Sequence, residues 1–500
     1  MGVRAEIATH LRDEVGAIHK EAPESVALVY PSPYRVAMSS LGYQTIYRTI
    51  NAIDGMAAHR AFLPDDVEAW RHSRRPLVTY ESMRPVSDYP VLAFSIAYEP
   101  EVEGLIQTLE LSGIPPLASD RTRRHPIVFA GGPLTFSNPL PLAPFVDAIV
   151  MGEADQSIYT VLRTIFDSDS KDSALRTLST HPHVLVPELE GDILPPIDKA
   201  DSTRLPAFSQ IMTPHTELRN MFLIEPERGC HRGCTYCVMR RSTNDGMRIV
   251  KKERILSLVP DDAKRVGLVG AATTDHPQIT EIVNALADSG REVGLSSLRA
   301  DRLNDDLVAA LRRGGHRILT TASDGSSQRM RDAIQRHTSE EQLRQAALLA
   351  RRHGMKRLKL YLMVGLPGET DEDIDEMVEL GKELSSLIPL SLGVAPFVAK
   401  RNTPLDGEPF AGISLVDARL RRLRRGVRGR VDVRATSARW AWIEYVLAQG
   451  ARAEGLAVLE AVKAGGRFSD WKRAFDALPP SRPRRSLVRP GNRLSRAIAF

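Results

Sequence analysis

Residues 228–237 read RGCHRGCTYC and contain all three cysteines of the 500-residue chain, Cys230, Cys234 and Cys237. A disulfide framework usually has an even number of cysteines spread along the chain, so this cluster favours a metal site. Three thiolates are one fewer than a [4Fe-4S] cluster normally takes. The spacing therefore predicts a [4Fe-4S] cluster with one open iron, the feature that separates a catalytic metal site from a closed structural one.

A zinc site with His231 as fourth ligand is the alternative for this loop. Zinc motifs usually bring two separated pairs of ligands, and the sequence supplies no second pair. His231 also follows Cys230 directly, which makes a tetrahedron around one ion difficult to complete. Gly229 and Gly233 would let the backbone approach the cysteine sulfurs closely, as a loop around a cluster requires.

Short apolar segments recur at regular distances, beginning just before the cysteines. The segments that predict strands are 222–224, 266–269, 293–298, 317–321, 359–366 and 390–397. Stretches of helical period separate them, which is typical of a parallel sheet built from strand–helix units. Six such units over residues 219–410 predict a partial (β/α)6 barrel, whose active face is formed by the carboxyl ends of the strands.

The chain before the barrel shows a similar alternation. Apolar runs bounded by Pro, Gly or charge predict strands at Val26–Tyr30, Pro90–Ile96, Pro126–Ala130 and Asp147–Gly152. Together with the intervening helical patterns they predict a doubly wound α/β domain over residues 1–190, with ligands beyond the carboxyl ends of the strands. The proline-containing residues 191–218 predict a linker, and residues 411–500 predict a small, mostly helical, basic region.

Composition narrows the setting of the protein. Hydrophobic residues make up 42% and charged residues 26% of the sequence, values typical of soluble globular proteins. No segment approaches the roughly 18 apolar residues that a membrane span needs, and the N-terminus lacks the apolar core of a signal peptide. We therefore expect a cytoplasmic protein without a membrane partner. The net charge of +5 is weak support for a nucleic-acid partner.

The cysteine loop resembles that of the radical S-adenosylmethionine (SAM) superfamily. The family motif is CxxxCxxC after the first barrel strand, with an aromatic residue before the last cysteine, where this chain has Tyr236. The resemblance implies that the amino and carboxylate groups of SAM bind the open iron. One electron then splits the sulfonium and gives a 5′-deoxyadenosyl radical or a related species. It also implies a reducing partner such as flavodoxin or ferredoxin.

Motifs at the ends of successive predicted strands extend this resemblance. Gly270-Ala271-Ala272 stands where the family has its methionine-binding turn, although the usual Gly-Gly-Glu is absent. Arg299 is similar to the cation that pairs with the SAM carboxylate. Residues 365–370, GLPGET, resemble the turn after the fifth strand in cobalamin-associated and methylthiolating members. The residues that the resemblance assigns to cofactor binding are Tyr236, Gly270, Ala271, Ser297, Arg299, Asp324, Gly365, Pro367 and Gly368.

The first domain resembles the Rossmann-like cobalamin-binding domain that precedes many radical SAM barrels. The resemblance places these residues on the cobalamin face: Ser39, Gly42, Ser95, Gly131, Gly132, Gly152 and Glu153. Many such domains coordinate cobalt through the His of Asp-x-His-x-x-Gly, but here Ser39 stands for the His and Ala37 for the Asp. Cobalamin would therefore bind without a histidine ligand. A generic nucleotide-like α/β fold with turn glycines remains the alternative.

The nearest overall resemblance is to cobalamin-domain radical SAM proteins, and it leaves three functional hypotheses. The first is radical modification of an unidentified substrate, including methyl transfer if cobalamin binds. The second is cobalamin-free modification of an RNA or protein, with the basic run Arg419–Arg430 as either an RNA contact or a solvated helix face. The third is a non-catalytic Fe–S module, which Arg299 and the GLPGET turn argue against. Methylthiolating relatives need three further cysteines, which this chain lacks.

Overall fold

The structure is a computed structural model that describes residues 3–239, 246–296 and 298–479. Two compact units divide the chain. Met1–Asn220 and the chain from Val446 onward form the first unit, and Met221–Tyr445 form the second. These limits differ from the domain limits predicted at 190, 218 and 410. The linker joins the first unit, and the end of the chain returns to it.

The first unit is built on a six-stranded sheet. Its strands are β1 (Glu24–Tyr30), β2 (Met56–Phe62), β3 (Val91–Ser95), β4 (Ile127–Gly131), β5 (Ala148–Val150) and β6 (Val184–Leu185). The order is β2-β1-β3-β4-β5-β6, parallel except for the antiparallel β6. Strands β1 to β5 are buried almost throughout, as in a parallel sheet covered on both faces. The predicted doubly wound domain is confirmed.

Helices connect these strands in chain order. They are α1 (Val3–Asp13), α2 (Tyr34–Ala37), α3 (Leu41–Asn51), α4 (Val67–Ser73), α5 (Glu101–Leu111), α6 (Ser157–Phe166), α7 (Lys171–Leu178) and α8 (Pro187–Glu190). The chain runs from β1 to β2 on one side of β1 and then from β2 to β3 on its other side, so the topological switch point lies between β1 and β3. Ligands of doubly wound sheets usually bind beyond the carboxyl ends of such strands.

The segment 191–218 is held to the first unit by backbone hydrogen bonds. Val15 and Met212 exchange two N–H···O bonds of 2.9 Å each. The guanidinium of Arg48 donates to the carbonyl of Phe208 at 2.7 Å. Asp198 pairs with Gly152 at the end of β5. The predicted linker therefore runs along the domain rather than away from it.

The second unit contains the parallel strands of a partial barrel and one short antiparallel pair, formed by Glu227–Arg228 and Arg248–Ile249. The strands are β7 (Phe222–Ile224), β8 (Glu227–Arg228), β9 (Arg248–Ile249), β10 (Arg265–Leu268), β11 (Glu292–Leu295), β12 (Ile318–Asp324), β13 (Arg357–Val364), β14 (Leu390–Pro396) and β15 (Val431–Ala435). Two parallel sheets have the orders β11-β10-β7 and β12-β13-β14-β15, and a bridge from Leu298 to Thr321 joins them. The predicted partial barrel is confirmed.

One strand of this sheet was not predicted. Strand β15 pairs in parallel with β14 over five residue pairs and extends the sheet beyond the sixth predicted strand. Its sequence, VDVRA, alternates apolar and charged residues and follows a basic helix, so it does not resemble the continuously apolar strands before it. The region after residue 410 therefore begins with a helix and a strand of the barrel, and its described residues from 438 to 479 are mainly helical.

Helices α9 to α16 cover the barrel strands or follow them. Their bounds are α9 (Lys252–Leu258), α10 (Ile279–Asp288), α11 (Asp305–Arg313), α12 (Gln328–Ala333), α13 (Glu340–Arg352), α14 (Asp371–Leu387), α15 (Ile413–Gly426) and α16 (Ala438–Gln449). Ser339 and Gln342 form a capping box that fixes the start of α13. Thr370 and Asp373 do the same for α14, directly after the GLPGET turn.

Two final helices, α17 (Arg452–Lys463) and α18 (Phe468–Asp476), pack in the first unit. The buried amide of Asn138 donates to the carbonyls of Leu447, Ala448 and Gly450 at 2.8 to 3.1 Å. A side chain at Gly455 would lie 2.1 Å from the carbonyl oxygen of Pro141, so α17 touches this loop at backbone distance. No described helix is long and apolar enough to cross a membrane.

A buried ionic cluster stabilises the first unit beside β2. Arg60 is fully buried and donates to Glu14 at 2.7 and 2.8 Å and to Glu81 at 2.5 Å. His10 stacks on the ring of Tyr34 at a centroid distance of 4.1 Å. Burial, together with the neighbouring His215, lowers the pKa of His10 from 6.5 to about 4. His10 is therefore neutral in the folded protein at neutral pH.

We predict that His10 makes the protein less stable as the pH falls from 6.5 towards 4. In this window the unfolded chain takes up a proton that the folded chain refuses, so protonation favours unfolding. The thermal midpoint of the wild type should fall between pH 7.5 and 5, and that fall should be smaller in His10→Gln. His72→Gln, which changes an exposed histidine, is the control. An equal fall in the wild type and His10→Gln would contradict the prediction.

Candidate functional site

The cysteine loop begins directly after β8 and turns at a glycine. Gly229 has φ +106°, a conformation that favours glycine, so it sets the direction of the chain into Cys230. The amide of Cys237 donates to the carbonyl of Cys234 at 3.3 Å, and the amide of Thr235 donates to that of Ile334 at 3.1 Å. The loop is therefore both folded on itself and fixed to the segment that follows α12.

A cavity of about 340 Å³ opens over this loop at the carboxyl ends of the barrel strands. The predicted site residues that line it are Cys230, Cys234, Tyr236, Cys237, Ala271, Arg299 and Asp324. Gly270, Gly365, Pro367 and Gly368 are not among the lining residues, and Ser297 lies outside the described residues. Three further lining residues, Arg232, Arg336 and Tyr361, had no signal in the sequence analysis. Residues distant in sequence thus meet around the three thiols.

Burial controls the protonation of the thiols. It raises the pKa of Cys237 to about 11 and raises the pKa of Cys230 as well. Thiols must lose their protons to bind a metal, so uptake of a cluster would release protons here.

Asp275 is the centre of a buried ionic network beside the thiols. Its side chain has no exposed surface, and Arg232 donates to both of its oxygens at 3.0 Å. Arg302 lies 3.2 Å and Arg299 lies 3.6 Å from the same carboxylate. Burial would raise the pKa of Asp275, but the hydrogen bonds and charges of the guanidinium groups outweigh it and lower that pKa. The carboxylate therefore stays ionised and orients the cations.

Arg299 lines the cavity, and two carboxylates hold its guanidinium. Its side chain is 6% exposed, and one of its terminal nitrogens lies 2.9 Å from Asp301. Its Nε is buried and lies 3.6 Å from Asp275. A planar guanidinium at the wall of a cavity suits a carboxylate ligand.

Glu227 explains why position 270 is a glycine. A Cβ at Gly270 would lie 2.1 Å from Oε1 of Glu227, and this oxygen accepts a 2.9 Å hydrogen bond from the amide of Ala272. Burial, with smaller contributions from the charges of Glu225 and Asp275, raises the pKa of Glu227 to about 8, although the hydrogen bond from Ala272 opposes this rise. Gly270 thus packs against a carboxyl that is protonated at neutral pH.

Tyr236 and Asp324 meet across the cavity. The phenol of Tyr236 donates to Asp324 Oδ2 at 2.8 Å, and Nε of Arg336 lies 2.6 Å from the same oxygen. Asp324 has φ +61°, an uncommon conformation for a residue other than glycine. The hydrogen bond fixes the aromatic ring of Tyr236, which directly precedes Cys237 in the loop.

The GLPGET turn is stabilised from within the second unit. Gly365 and Gly368 have φ values of +88° and +73°, and the amide of Gly365 donates to Glu369 at 2.6 Å. The same buried carboxylate accepts from the hydroxyl of Ser326 at 2.6 Å and pairs with Arg419 at 3.0 Å. Glu369 therefore braces the turn, since the helix cap is provided by Asp373.

The basic run Arg419–Arg430 is partly neutralised. Arg419 is buried against Glu369, and Arg422 lies 2.6 Å from Asp375 and 3.1 Å from Asp371. These pairs reduce the charge that the helix presents to a nucleic acid, and the RNA contact stays a prediction.

The predicted cobalamin face lies at the carboxyl ends of the strands in the first unit. Ser95 and Gly131 end the neighbouring strands β3 and β4 in register with each other. A Cβ at Gly132 would lie 2.8 Å from the carbonyl oxygen of Ile96, and one at Gly152 would lie 2.4 Å from that of Asp198. These two glycines are therefore required by the packing of the chain itself.

Two further residues of this face form hydrogen bonds within the chain, and a third, a glycine, has open space around it. The hydroxyl of Ser39 donates to the carbonyl of Arg35 at 3.1 Å. Glu153 accepts a 3.0 Å hydrogen bond from the amide of Ala200, so it holds the segment that follows the domain. Gly42 has no heavy atom within 4 Å of an added Cβ. The predicted face is thus partly occupied by the chain and offers no cobalt ligand at position 39.

Two protein families match this chain, one in each of its two units. Residues 42–187 match the family of radical SAM proteins, N-terminal, and residues 224–381 match the radical SAM superfamily. An uncharacterized protein of Methanocaldococcus jannaschii is 27% identical over 400 residues, 77% of this chain and 80% of that protein. An uncharacterized methyltransferase of Pyrococcus horikoshii is 20% identical over 317 residues, 57% of this chain and 65% of that protein.

A solved structure shares the fold. OxsB, a cobalamin-dependent SAM radical enzyme with aqua-cobalamin and SAM bound, aligns over 82% of this chain with a TM-score of 0.50 and 12% identity. The aligned part covers 58% of OxsB, so this chain spans little more than half of that protein. The predicted architecture, an N-terminal Rossmann-like sheet followed by a radical SAM domain and a helical end, is confirmed.

We predict that removing the charge of Asp275 destabilises the protein strongly. Asp275→Asn leaves Arg232 and Arg299 without their shared carboxylate, and breaking a buried ion pair costs about 3–5 kcal/mol. Asp288→Asn is the matched control because Asp288 pairs with Arg313 at 3.2 Å on the surface, where such pairs contribute little. Urea unfolding of both variants measures the difference. Equal free energies of unfolding would contradict the central role of Asp275.

Proposed function

Since this chain belongs to the radical SAM superfamily, we propose that it binds one [4Fe-4S] cluster and reductively cleaves SAM to modify a substrate. One observation carries the proposal: Cys230, Cys234 and Cys237 open into one cavity together with Arg299. When bound, the cluster would supply the electron that splits the sulfonium of SAM. A low-potential partner such as flavodoxin or ferredoxin would supply that electron in turn.

The donor set fits the cluster. Three thiolates leave one iron without a protein ligand, which is the position that a chelating amino acid can take. A cluster held by three thiolates is negatively charged, and Arg232 and Arg336 line the same cavity as cations. Charges of opposite sign in a partly buried site favour its assembly.

The residues around the thiols have distinct roles in this proposal. Arg299 lines the cavity and would pair with the carboxylate of SAM, while Asp275 and Asp301 hold its guanidinium in place. Tyr236, oriented by Asp324, would cover one side of the cluster loop and limit the access of water. The backbone of the turn at Gly270 would contact the methionine portion of SAM. Glu227 fills the space that a side chain at position 270 would need, so this position of the turn carries no side chain.

We predict that SAM cleavage depends on Cys234. The protein is reconstituted anaerobically with iron and sulfide, reduced with dithionite, and assayed for 5′-deoxyadenosine by mass spectrometry. The wild type should bind about four irons and form the product, whereas Cys234→Ala should form none because one cluster ligand is missing.

His231→Ala separates the cluster from the zinc alternative. It should keep the iron content and the product of the wild type, since His231 is not a ligand in the proposed site. Product formation by Cys234→Ala, or its absence from the reconstituted wild type, would contradict the proposal.

Methyl transfer through cobalamin is the second candidate, and the first unit is where the cofactor would bind. The switch point between β1 and β3 and the fold shared with OxsB support it. On this face Gly152 pairs with Asp198, and Glu153 accepts a hydrogen bond from the amide of Ala200. Because Ser39 stands where many such domains have a histidine, cobalamin would bind here without a protein donor to cobalt.

We predict that Ser39 does not coordinate cobalt. After incubation with hydroxocobalamin and desalting, Ser39→Ala should retain as much cobalt as the wild type and give the same corrin spectrum, because the hydroxyl is used by Arg35. A spectral shift in Ser39→Ala would contradict this assignment. Loss of cobalt from the wild type itself would exclude the cobalamin-dependent reaction and leave radical modification of an RNA or protein.

A further inference from the structure

The segment after α12 is bent against the cysteine loop. Gln335 and His337 have φ values of +53° and +52°, so two residues with side chains occupy the left-handed region on either side of Arg336. Such conformations cost about 1–3 kcal/mol each and persist where the surroundings impose them. The amide of Thr235 donates to the carbonyl of Ile334 at 3.1 Å and fixes this segment to the loop. The bend directs Arg336 into the cavity of the thiols.

Arg336 is held there by a hydrogen-bonded carboxylate. Its side chain is 11% exposed, and its Nε lies 2.6 Å from Asp324, which also accepts from Tyr236 at 2.8 Å. A guanidinium stays protonated at physiological pH. Arg336 is therefore a permanent cation that lines the same cavity as Cys234 and pairs with Asp324.

We propose that Arg336 is a positioning residue that donates a hydrogen bond to the sulfur of Cys234 and raises the reduction potential of the cluster. This inference rests on the proposed function. Reduction adds one negative charge, which a neighbouring cation and a hydrogen bond to sulfur stabilise. The negative charge of Asp324 lowers the reduction potential, so it partly offsets the effect of Arg336.

Redox titration of the reconstituted protein, followed by electron paramagnetic resonance without SAM, tests the inference. Arg336→Met should make reduction at least tenfold less favourable, a shift of about 59 mV to lower potential for a one-electron couple. Asp324→Asn should shift the potential to higher values, and Arg336→Lys should fall between the wild type and Arg336→Met. A role in structure alone would not produce shifts of opposite sign at two residues in contact.

Arg329→Met is the matched control. Arg329 belongs to α12, pairs with Asp373 and is 57% exposed, so its loss should leave the potential unchanged. Equal potentials in the wild type, Arg336→Met and Asp324→Asn, or shifts of the same sign, would overturn the inference. If Arg336→Met takes up no cluster, the other two variants test the inference: the potential should rise in Asp324→Asn and fall in Arg336→Lys. A wild type that binds no cluster would overturn the proposed function as well.

Discussion

The buried carboxylate of Asp275 is the interaction on which the arrangement of the site depends. Arg232 comes from the cysteine loop and Arg299 from the segment after β11, and both are oriented by this one side chain. A buried charge with several hydrogen bonds is costly to break, so the two segments keep a fixed distance. The three thiols and Arg299 can therefore face the same cavity before any cofactor binds.

Most of the longer strands could be predicted because short apolar segments and strand–helix alternation are local patterns. Strand β2 was not predicted, since His59 and Arg60 interrupt its apolar sequence. The cysteines were found by their spacing, and Arg299 and Asp324 by the resemblance to the radical SAM superfamily. Arg336 and Asp275 had no such signal, since their roles depend on contacts with residues far away in sequence. The left-handed conformations around Arg336 are equally invisible, because neither Gln335 nor His337 is a residue type that predicts them.

In the first unit, the glycine at position 152 can be explained either by a ligand or by the packing of the chain. Gly152 was predicted to face a cobalamin, and the structure shows it in contact with Asp198, where a side chain would not fit. Strand β15 was overlooked because one of its faces is charged. The unit limits of the structure differ from the limits predicted at 190 and 410 because hydrogen bonds of buried groups such as Asn138 join segments that are distant in sequence. Local patterns carry no information on such contacts.

The central claim is that three cysteines hold a cluster whose fourth iron binds SAM. Electron–nuclear double resonance of the reduced, reconstituted protein with SAM labelled by ¹⁵N in its amino group tests this claim most directly. Coordination of the amino group predicts a ¹⁵N hyperfine coupling to the cluster, which a ¹⁴N coupling replaces when the SAM is unlabelled. A reduced cluster that shows no coupling to the label, and whose spectrum SAM leaves unchanged, would contradict it.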